Sequence, residues 1–556
     1  MSKSICVAQS VEELKFILKK VQQKVVCLPL NLETQLYCVK KKLEFYNPIN
    51  FIDNDFYKIA LTESENLINN LNFGELKFDS HRKEYKAFIR FRFYSAIFLI
   101  DLIDKINEKE KIEKIFISGW NKYISQYSNK NYFVSYLILN LITDIKVSKL
   151  ENQDMNQISS AGDRKFLIKN SKLNNKINYI LMSNIGYNFF RIVLLLRKKN
   201  YHILVPIFEK VSFLKRKIFR IFKIIFVEFN SISTNDKSNF ILPKIECVYK
   251  KKSLSKILNF RKEQELGNLA KLQNQSIAID NLFNQVNIKL VFTNVTRGIY
   301  GYYIDSSKKK NIPSVCIPHG TLAPHFDKFD KIYKNIIAEP ISIKHSKFFA
   351  IQSKITRSFI KTNNFTNNAI NTGNLIFSES KGNKKNKILF AVTLKDFSNF
   401  QYLGVEMYYE FLDNLKLFNR IAKEYNLTFL VKPHPSVNHC FDDLKSTFKN
   451  LEFTKKKINK VLKETFVTIS FSSTVIEDSL YSKTPVILFD RWNRYKHCDA
   501  EEDVKKKNSA VYYVKRESDL INCIDTIKNS HNIIFNDYIF EGSSKKNIAE
   551  LVDKLL

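Results

Sequence analysis

Two short strings in the last third of this chain place phosphate-binding residue types where a sheet would present them. Lys432-Pro433-His434-Pro435 closes the apolar run Leu427–Val431, and Ser470-Phe471-Ser472-Ser473-Thr474 follows the run Phe466–Ile469. A histidine at one strand end, with hydroxyls opening a helix at a later one, is how an α/β sheet gathers ligands for a phosphorylated nucleotide at its carboxyl edge. The prolines fix the loop around His434 and aim its ring out of the sheet, and Lys432 adds a cation that either faces phosphate or ends the strand in solvent. Ser470, Ser472, Ser473 and Thr474 lead into an amphipathic stretch, Val475–Tyr481, with Glu477 about one turn inside, where its carboxylate can accept hydrogen bonds from a ribose. Serines also cap helices routinely, using one side-chain oxygen on an open amide. It is the pairing with Lys432–Pro435 in the same series that turns the cluster into a candidate donor site.

A third string lies earlier. Pro318-His319-Gly320-Thr321 follows the run Ser314–Ile317 and is trailed by Pro324-His325. A histidine at a strand end can take the proton from an attacking hydroxyl, and Gly320 would let backbone approach a ligand closely. The plain alternative is a histidine buried in a tight turn; for His325, loop placement is explanation enough. Asn371-Thr372-Gly373-Asn374 falls near an expected interdomain cleft, although Asn/Gly turns are common. No paired acidic motif stands at a strand end, so no metal site is expected and none is assigned to the reaction.

These residues must be carried by alternating strands and helices. Short apolar runs interleave with longer helical patterns along the chain, the signature of βα units and parallel sheets. Strands are predicted at Lys24–Leu30, Lys114–Gly119, Lys289–Asn294, Pro313–Pro318 and Lys347–Gln352, with helices at Tyr85–Glu108 and Gly298–Lys309. A Lys/Asn/Gly-rich stretch, Ser378–Lys387, reads as a hinge. Beyond it come strands at Asn386–Val392, Leu427–Val431, Phe466–Ile469 and Pro485–Phe489, then helices at Glu517–Lys528 and Ser544–Leu556. The resulting organisation is an N-terminal domain over residues 1–380 and a C-terminal donor-binding domain over 381–556. Residues of about 150–282 are read as a basic, partly helical insertion or connecting region.

Charge points to that middle region. The chain of 556 residues carries 89 Lys and Arg against 55 Asp and Glu, a net charge of +34; residues 161–260 alone hold 21 against 5, an excess of 16. Such an excess fits an anionic membrane face, a polyanion or an acidic substrate, and also an AT-biased genome rich in Lys, Asn and Ile codons. The run Tyr179–Leu196 is interrupted by Asn184, Asn188 and Arg191, too often for a membrane span. Phe213–Phe226 alternates large apolar residues with Lys215, Arg216, Lys217, Arg220 and Lys223, as a helix lying in a membrane interface would. No nucleic-acid motif is present. Eight cysteines without CxxC or metal spacing read as reduced core thiols, and the N-terminus lacks a secretory pattern, so the expected location is cytoplasmic, peripheral on the inner face of the plasma membrane.

Taken together, Pro318–Thr321, Asn371–Asn374, Lys432–Pro435, Ser472–Thr474 with Glu477, and Glu541-Gly542-Ser543-Ser544 before a last helix resemble the GT-B glycosyltransferases of bacterial surface and capsule polysaccharide assembly. They are similar to CMP-sugar sialyl and Kdo transferases, to CDP-glycerol glycerophosphotransferases with a His-Gly-Thr loop, and to UDP-N-acetylglucosamine 2-epimerases on the same fold. The resemblance covers roughly 289–556. It implies two Rossmann-like domains facing across a cleft and transfer of a sugar or polyol phosphate, without metal or cofactor. The donor would be nucleotide-activated, CMP- or CDP-linked ahead of UDP-linked, and the acceptor a glycan or a lipid-linked molecule. It implies further that His434, Ser472, Ser473 and Thr474 hold the donor phosphate, that Glu477 meets its ribose, and that His319 is catalytic; beside these, Lys432, Pro435 and Ser470 are read as donor-binding, His434 as a second catalytic candidate, and Gly320, Thr321, Gly373 and Asn374 as lining the cleft. No acidic base motif of the sialyltransferase kind is found, which leaves the base open. The alternatives are an epimerase on the same fold and a non-enzymatic polyanion- or membrane-binding protein.

Overall fold

The computed structural model describes residues 3–556 apart from 9, 72–78, 119–132, 151–163, 169–172, 186, 199–200, 209–211, 234–246, 259–261, 319, 342–344, 366–367, 381–385, 392–406, 472, 494 and 543. Three largely parallel sheets organise it. The first is β2-β1-β3-β4, from β1 (Lys3–Ala8), β2 (Val26–Pro29), β3 (Ile112–Ser118) and β4 (Lys146–Leu150), all parallel. The 32-residue helix Asp79–Glu110 presents Ile89, Phe93, Ile97, Ile100 and Ile103 to its core.

The second sheet runs β14-β13-β12-β11-β6-β7-β8-β5. Its members are β5 (Arg164–Ile168), β6 (Asn178–Met182), β7 (His202–Ile207), β8 (Ile224–Ser233), β11 (Asn287–Thr293), β12 (Ser314–Cys316), β13 (Phe348–Ile351) and β14 (Ala369–Asn371). Only β5 is antiparallel; β9 (Val248–Tyr249) and β10 (Lys252–Ser253) form a separate short ladder. Counted from β6, the parallel strands follow the order 3-2-1-4-5-6 with one strand added, the Rossmann arrangement. The third sheet, β17-β16-β15-β18-β19-β20, has the same order: β15 (Lys387–Phe390), β16 (Phe429–Val431), β17 (Glu452–Phe453), β18 (Thr465–Ser470), β19 (Val486–Phe489) and β20 (Val511–Val514), all parallel.

Two Rossmann-like domains are therefore present, and one expectation changes. Residues 150–282 do not form an insertion: they supply β5 to β8, half of the second sheet, including its first three parallel strands. The first Rossmann-like domain is built from about residue 164 onward, and residues 3–150 form an additional α/β unit in front of it. The interrupted run Tyr179–Leu196 is a buried strand followed by the helix Tyr187–Lys198, and Phe213–Phe226 is the helix Phe213–Ile221 followed by the start of β8. Lys223 makes that change of direction at φ 56°.

The two Rossmann-like domains share apolar core. Ile548, Leu551 and Val552 of the last helix, Ser544–Leu555, join Phe189, Ile192, Val193 and Leu196 of the central domain in one cluster. Phe377 stacks on Tyr481 with ring centroids 6.0 Å apart. The front unit touches both domains. Arg90 pairs with Glu65 and Glu339, and Lys40 with Asp443 at 3.0 Å. None of the eight cysteines forms a disulfide and all are buried, as their apolar settings imply.

Candidate functional site

In a sheet of order 3-2-1-4-5-6 the crevice opens where connections leave in opposite directions, between strands 1 and 4. Here that is between β15 and β18, and Ser470 is the last residue of β18. Ser470 is fully buried, and its hydroxyl has no hydrogen-bond partner. Ser472 lies outside the described residues. The Ser473 hydroxyl accepts from the Val475 amide at 3.3 Å, a local turn bond of the kind that caps helices. Thr474 stands at the helix start without a side-chain cap bond. The helix it opens, Val475–Tyr481, has only two turns.

Within that helix Glu477 is the most informative side chain. It is fully buried and neither carboxylate oxygen has a hydrogen-bond partner. Its neighbours Asp478 and Ser479 are satisfied: Asp478 accepts from the Ser378 amide at 2.6 Å, and the Ser479 hydroxyl bonds the Val475 carbonyl at 2.7 Å. A buried carboxylate without hydrogen bonds costs stability, which a ligand hydroxyl would offset. His497 Nε2 lies 3.6 Å from Glu477 Oε1, inside ion-pair range but beyond hydrogen-bond length.

His497 was not among the sequence candidates. It arrives from the loop after β19, which Asp490 shapes by accepting from the Tyr495 amide at 2.8 Å and the Tyr513 hydroxyl at 2.9 Å. Tyr495 OH in turn lies 3.4 Å from His497 Nδ1. The only sequence signal was an acidic residue closing a strand at the same sheet edge.

The Lys432–Pro435 string leaves β16 beside β15, with the Lys432 amide donating to the Phe390 carbonyl at 2.9 Å. Lys432 and His434 are half-buried and Pro435 is exposed. Burial holds the Lys432 ammonium below its ordinary 10.5. The His434 carbonyl accepts from the Val437 amide at 3.0 Å, starting the turn Pro435–Cys440.

On the central domain His319 lies outside the described residues, but both of its flanks are placed. Gln352 Nε2 donates to the Pro318 carbonyl at 2.9 Å, and the Gln352 carbonyl accepts from Tyr481 OH of the Glu477 helix. Thr321 Oγ1 and His325 Nδ1 are buried atoms without hydrogen-bond partners. Gly320 is not forced by sterics: a Cβ there would meet only Ile341 Cδ1 at 3.9 Å. Gly373 and Asn374, by contrast, are employed structurally. Gly373 has φ +64°, and a Cβ would overlap Asn547 Nδ2; the Asn374 amide accepts from Phe377 N at 2.8 Å and donates to Glu379 at 2.6 Å.

A buried lysine joins the two halves. Lys334 pairs with Asp330 at 2.7 Å, donates to the Pro324 carbonyl, and reaches the Lys496 carbonyl at 2.6 Å. Its ammonium also lies 4.9 Å from the Tyr495 ring centre. Burial pushes the Asp330 carboxyl up and the Lys334 ammonium down. The Thr321–His325 loop is thus tied to the residue before His497, and through it to Glu477. Gly373 and Asn374 form a turn against the last helix, and the Leu375 amide that follows donates to Gln352 Oε1, the side chain that bonds Pro318.

No family model and no curated protein matches the chain. Among solved structures it is similar to the UDP-GlcNAc 2-epimerase from Methanocaldococcus jannaschii, at 12% identity over 68% of this chain and 99% of that one, TM-score 0.40. The enzyme of that name from Neisseria meningitidis, bound to UDP-GlcNAc, gives 12% identity over 68% and 99%, TM-score 0.42. The wall teichoic acid polymerase TagF gives 12% identity over 70% and 90%, TM-score 0.37. It is the strand orders that identify the two Rossmann-like domains.

Proposed function

We propose that this chain is a GT-B-type transferase that moves a sugar or polyol phosphate from a nucleotide-activated donor to a glycan or lipid-linked acceptor of the bacterial cell surface. The observation that carries the reading is Glu477, a fully buried carboxylate with both oxygens unsatisfied, beside the crevice of a Rossmann-ordered sheet. A ribose supplies the missing donors, since its two hydroxyls can each give a hydrogen bond to one carboxylate oxygen. On this reading Ser470, Ser472 and Ser473 are assigned to the phosphates, and Lys432 and His434 supply positive charge to the departing phosphate, the electrostatic contribution that usually dominates such transfers. The base assigned to take the acceptor proton is His319.

A lipid-linked acceptor fits one further feature. On the helix Phe213–Ile221, Leu214, Ile218 and Ile221 recur at spacings of four and three and are exposed. They form one apolar stripe flanked by Lys217, while Phe219 packs inward on Phe190 at 5.8 Å. No helix among the described residues is long and apolar enough to cross a membrane. The stripe suits shallow insertion into an anionic leaflet.

The deciding experiment is thermal shift of the full chain with CMP, CDP, UDP and GDP, run beside Glu477→Gln. One nucleotide should raise the melting temperature of the parent and not of the variant. No response to any of the four overturns the proposal. Incubating the recognised donor without acceptor then separates the classes: an isomerised sugar still attached to nucleotide identifies an epimerase instead.

A further inference from the structure

We propose that Glu33, His439 and Cys440 bind a zinc-class divalent cation at the junction between the front α/β unit and the C-terminal Rossmann-like domain. Glu33 lies in the first turn of the helix Leu32–Lys41, just after β2, and His439 and Cys440 end the turn that starts at Pro435. Glu33 Oε2 is 3.2 Å from His439 Nε2, and one ligand atom from each of the three residues falls within 4.8 Å of the others. They are the one such group among the described residues. Ligands about 2.0–2.3 Å from a tetrahedral zinc lie roughly 3.3–3.8 Å apart, so closing the set needs shifts of about 1 Å.

The ligand types also agree with this ion. Carboxylate, imidazole and thiolate together suit zinc and its cobalt surrogate and are a poor set for magnesium or calcium, which take oxygen. Cys440 is buried and His439 exposed, so the sulfur is shielded while a fourth position opens towards water. Binding replaces the Glu33–His439 contact by two bonds to the cation. The thiol gives up its proton to solvent as the sulfur–metal bond forms, and the imidazole ligates in its neutral form.

The site's place gives it a role. The Lys40–Asp443 ion pair at 3.0 Å joins the same helix Leu32–Lys41 to the helix Phe441–Thr447 that follows Cys440, so the cation would fasten a contact that is already formed. His439 follows His434 by five residues, so fixing it restricts the loop that carries the proposed donor-phosphate ligands. This role is structural and leaves the transfer itself free of metal.

Metal-stripped full-length protein is titrated with Co²⁺ and Zn²⁺, following thiolate-to-cobalt absorption, bound metal per chain and proton release. The expected result is one cation per chain, about one proton released, and a zinc-dependent rise in melting temperature. Cys440→Ser should abolish the thiolate band. Because Cys440 is buried, the exposed His439→Ala serves as second variant and should weaken binding by more than the roughly 10–100-fold that loss of an outer partner costs. Absence of binding, or binding that both variants retain, overturns the site.

Discussion

Lys334 of the central domain donates to the main-chain carbonyl of Lys496 in the C-terminal domain at 2.6 Å, and it does so while ion-paired with Asp330 at 2.7 Å. Both side chains are buried, so each charge depends on the other. Removing one partner strands the other in low dielectric. Lys334→Met and Asp330→Asn should each destabilise the fold by about 3–5 kcal/mol, and the double variant by less than the sum. Chemical denaturation of the four proteins measures the coupling; additive losses would show that the pair is not what joins the loops.

Glu477→Gln should act in opposite directions on stability and binding. Neutralising a buried, unsatisfied carboxylate is expected to stabilise the free protein by about 0.5–2 kcal/mol. The same change should weaken the donor nucleotide about 10- to 100-fold, the range of about 1.5–3 kcal/mol for hydrogen bonds to a charged group. A Glu477 that only holds the core together would instead lose stability and leave calorimetric affinity unchanged.

Donor affinity should also depend on pH through Lys432. Its ammonium is held below 10.5 by burial, and a phosphate beside it would favour the charged form. Affinity is therefore full below the free-protein value and falls as pH rises through it towards the higher value of the complex. Calorimetry between neutral pH and 10.5 should show that decline in the parent and a flat profile in Lys432→Met.

The exposed stripe on the helix Phe213–Ile221 makes a prediction separable from folding. Ile218→Glu with Ile221→Glu removes two exposed apolar groups and should change stability by no more than about 0.5 kcal/mol per site. Co-sedimentation with vesicles containing anionic lipid should fall at least tenfold, and added salt should weaken the parent's binding. Equal sedimentation of parent and variant would remove the membrane from the proposal.

At Gly373 the backbone has φ +64° and a Cβ would overlap Asn547 Nδ2, so Gly373→Ala should cost about 1–3 kcal/mol. Adding Asn547→Ala relieves the overlap and leaves the backbone strain. Recovery should therefore be partial, as read by urea midpoints.

Much of the C-terminal half was legible in the sequence. The helices Gly298–Lys309 and Glu517–Lys528 match their sequence bounds, and the strands around Phe429–Val431, Thr465–Ser470 and Val486–Phe489 lie where apolar runs placed them. Residues 164–233 were not legible because period changes fell inside single runs. Tyr179–Leu196 and Phe213–Phe226 each hold a strand and a helix, and the usual punctuation is missing: the chain has only 12 glycines. Left-handed turns are made instead by Lys42, Lys111, Lys223, Asn311 and Asn426, residue types too common here to mark a boundary. The positions of Ser470 at a strand end and Glu477 in the helix that follows were legible. His497 was not, because only the fold of the loop after β19 brings it to Glu477.

The chain passes between its two Rossmann-like domains twice, near residues 372–386 and again before the last helix, Ser544–Leu555, returns to the central core. The two passages lie side by side, since Asn547 Nδ2 donates to the Asn374 carbonyl at 3.3 Å. A single tether would let one domain swivel freely about the other. Two crossings bonded side by side, together with the shared apolar core, hold the domains against each other at this edge, where Gly373 and Gly542 turn the chain at positive φ.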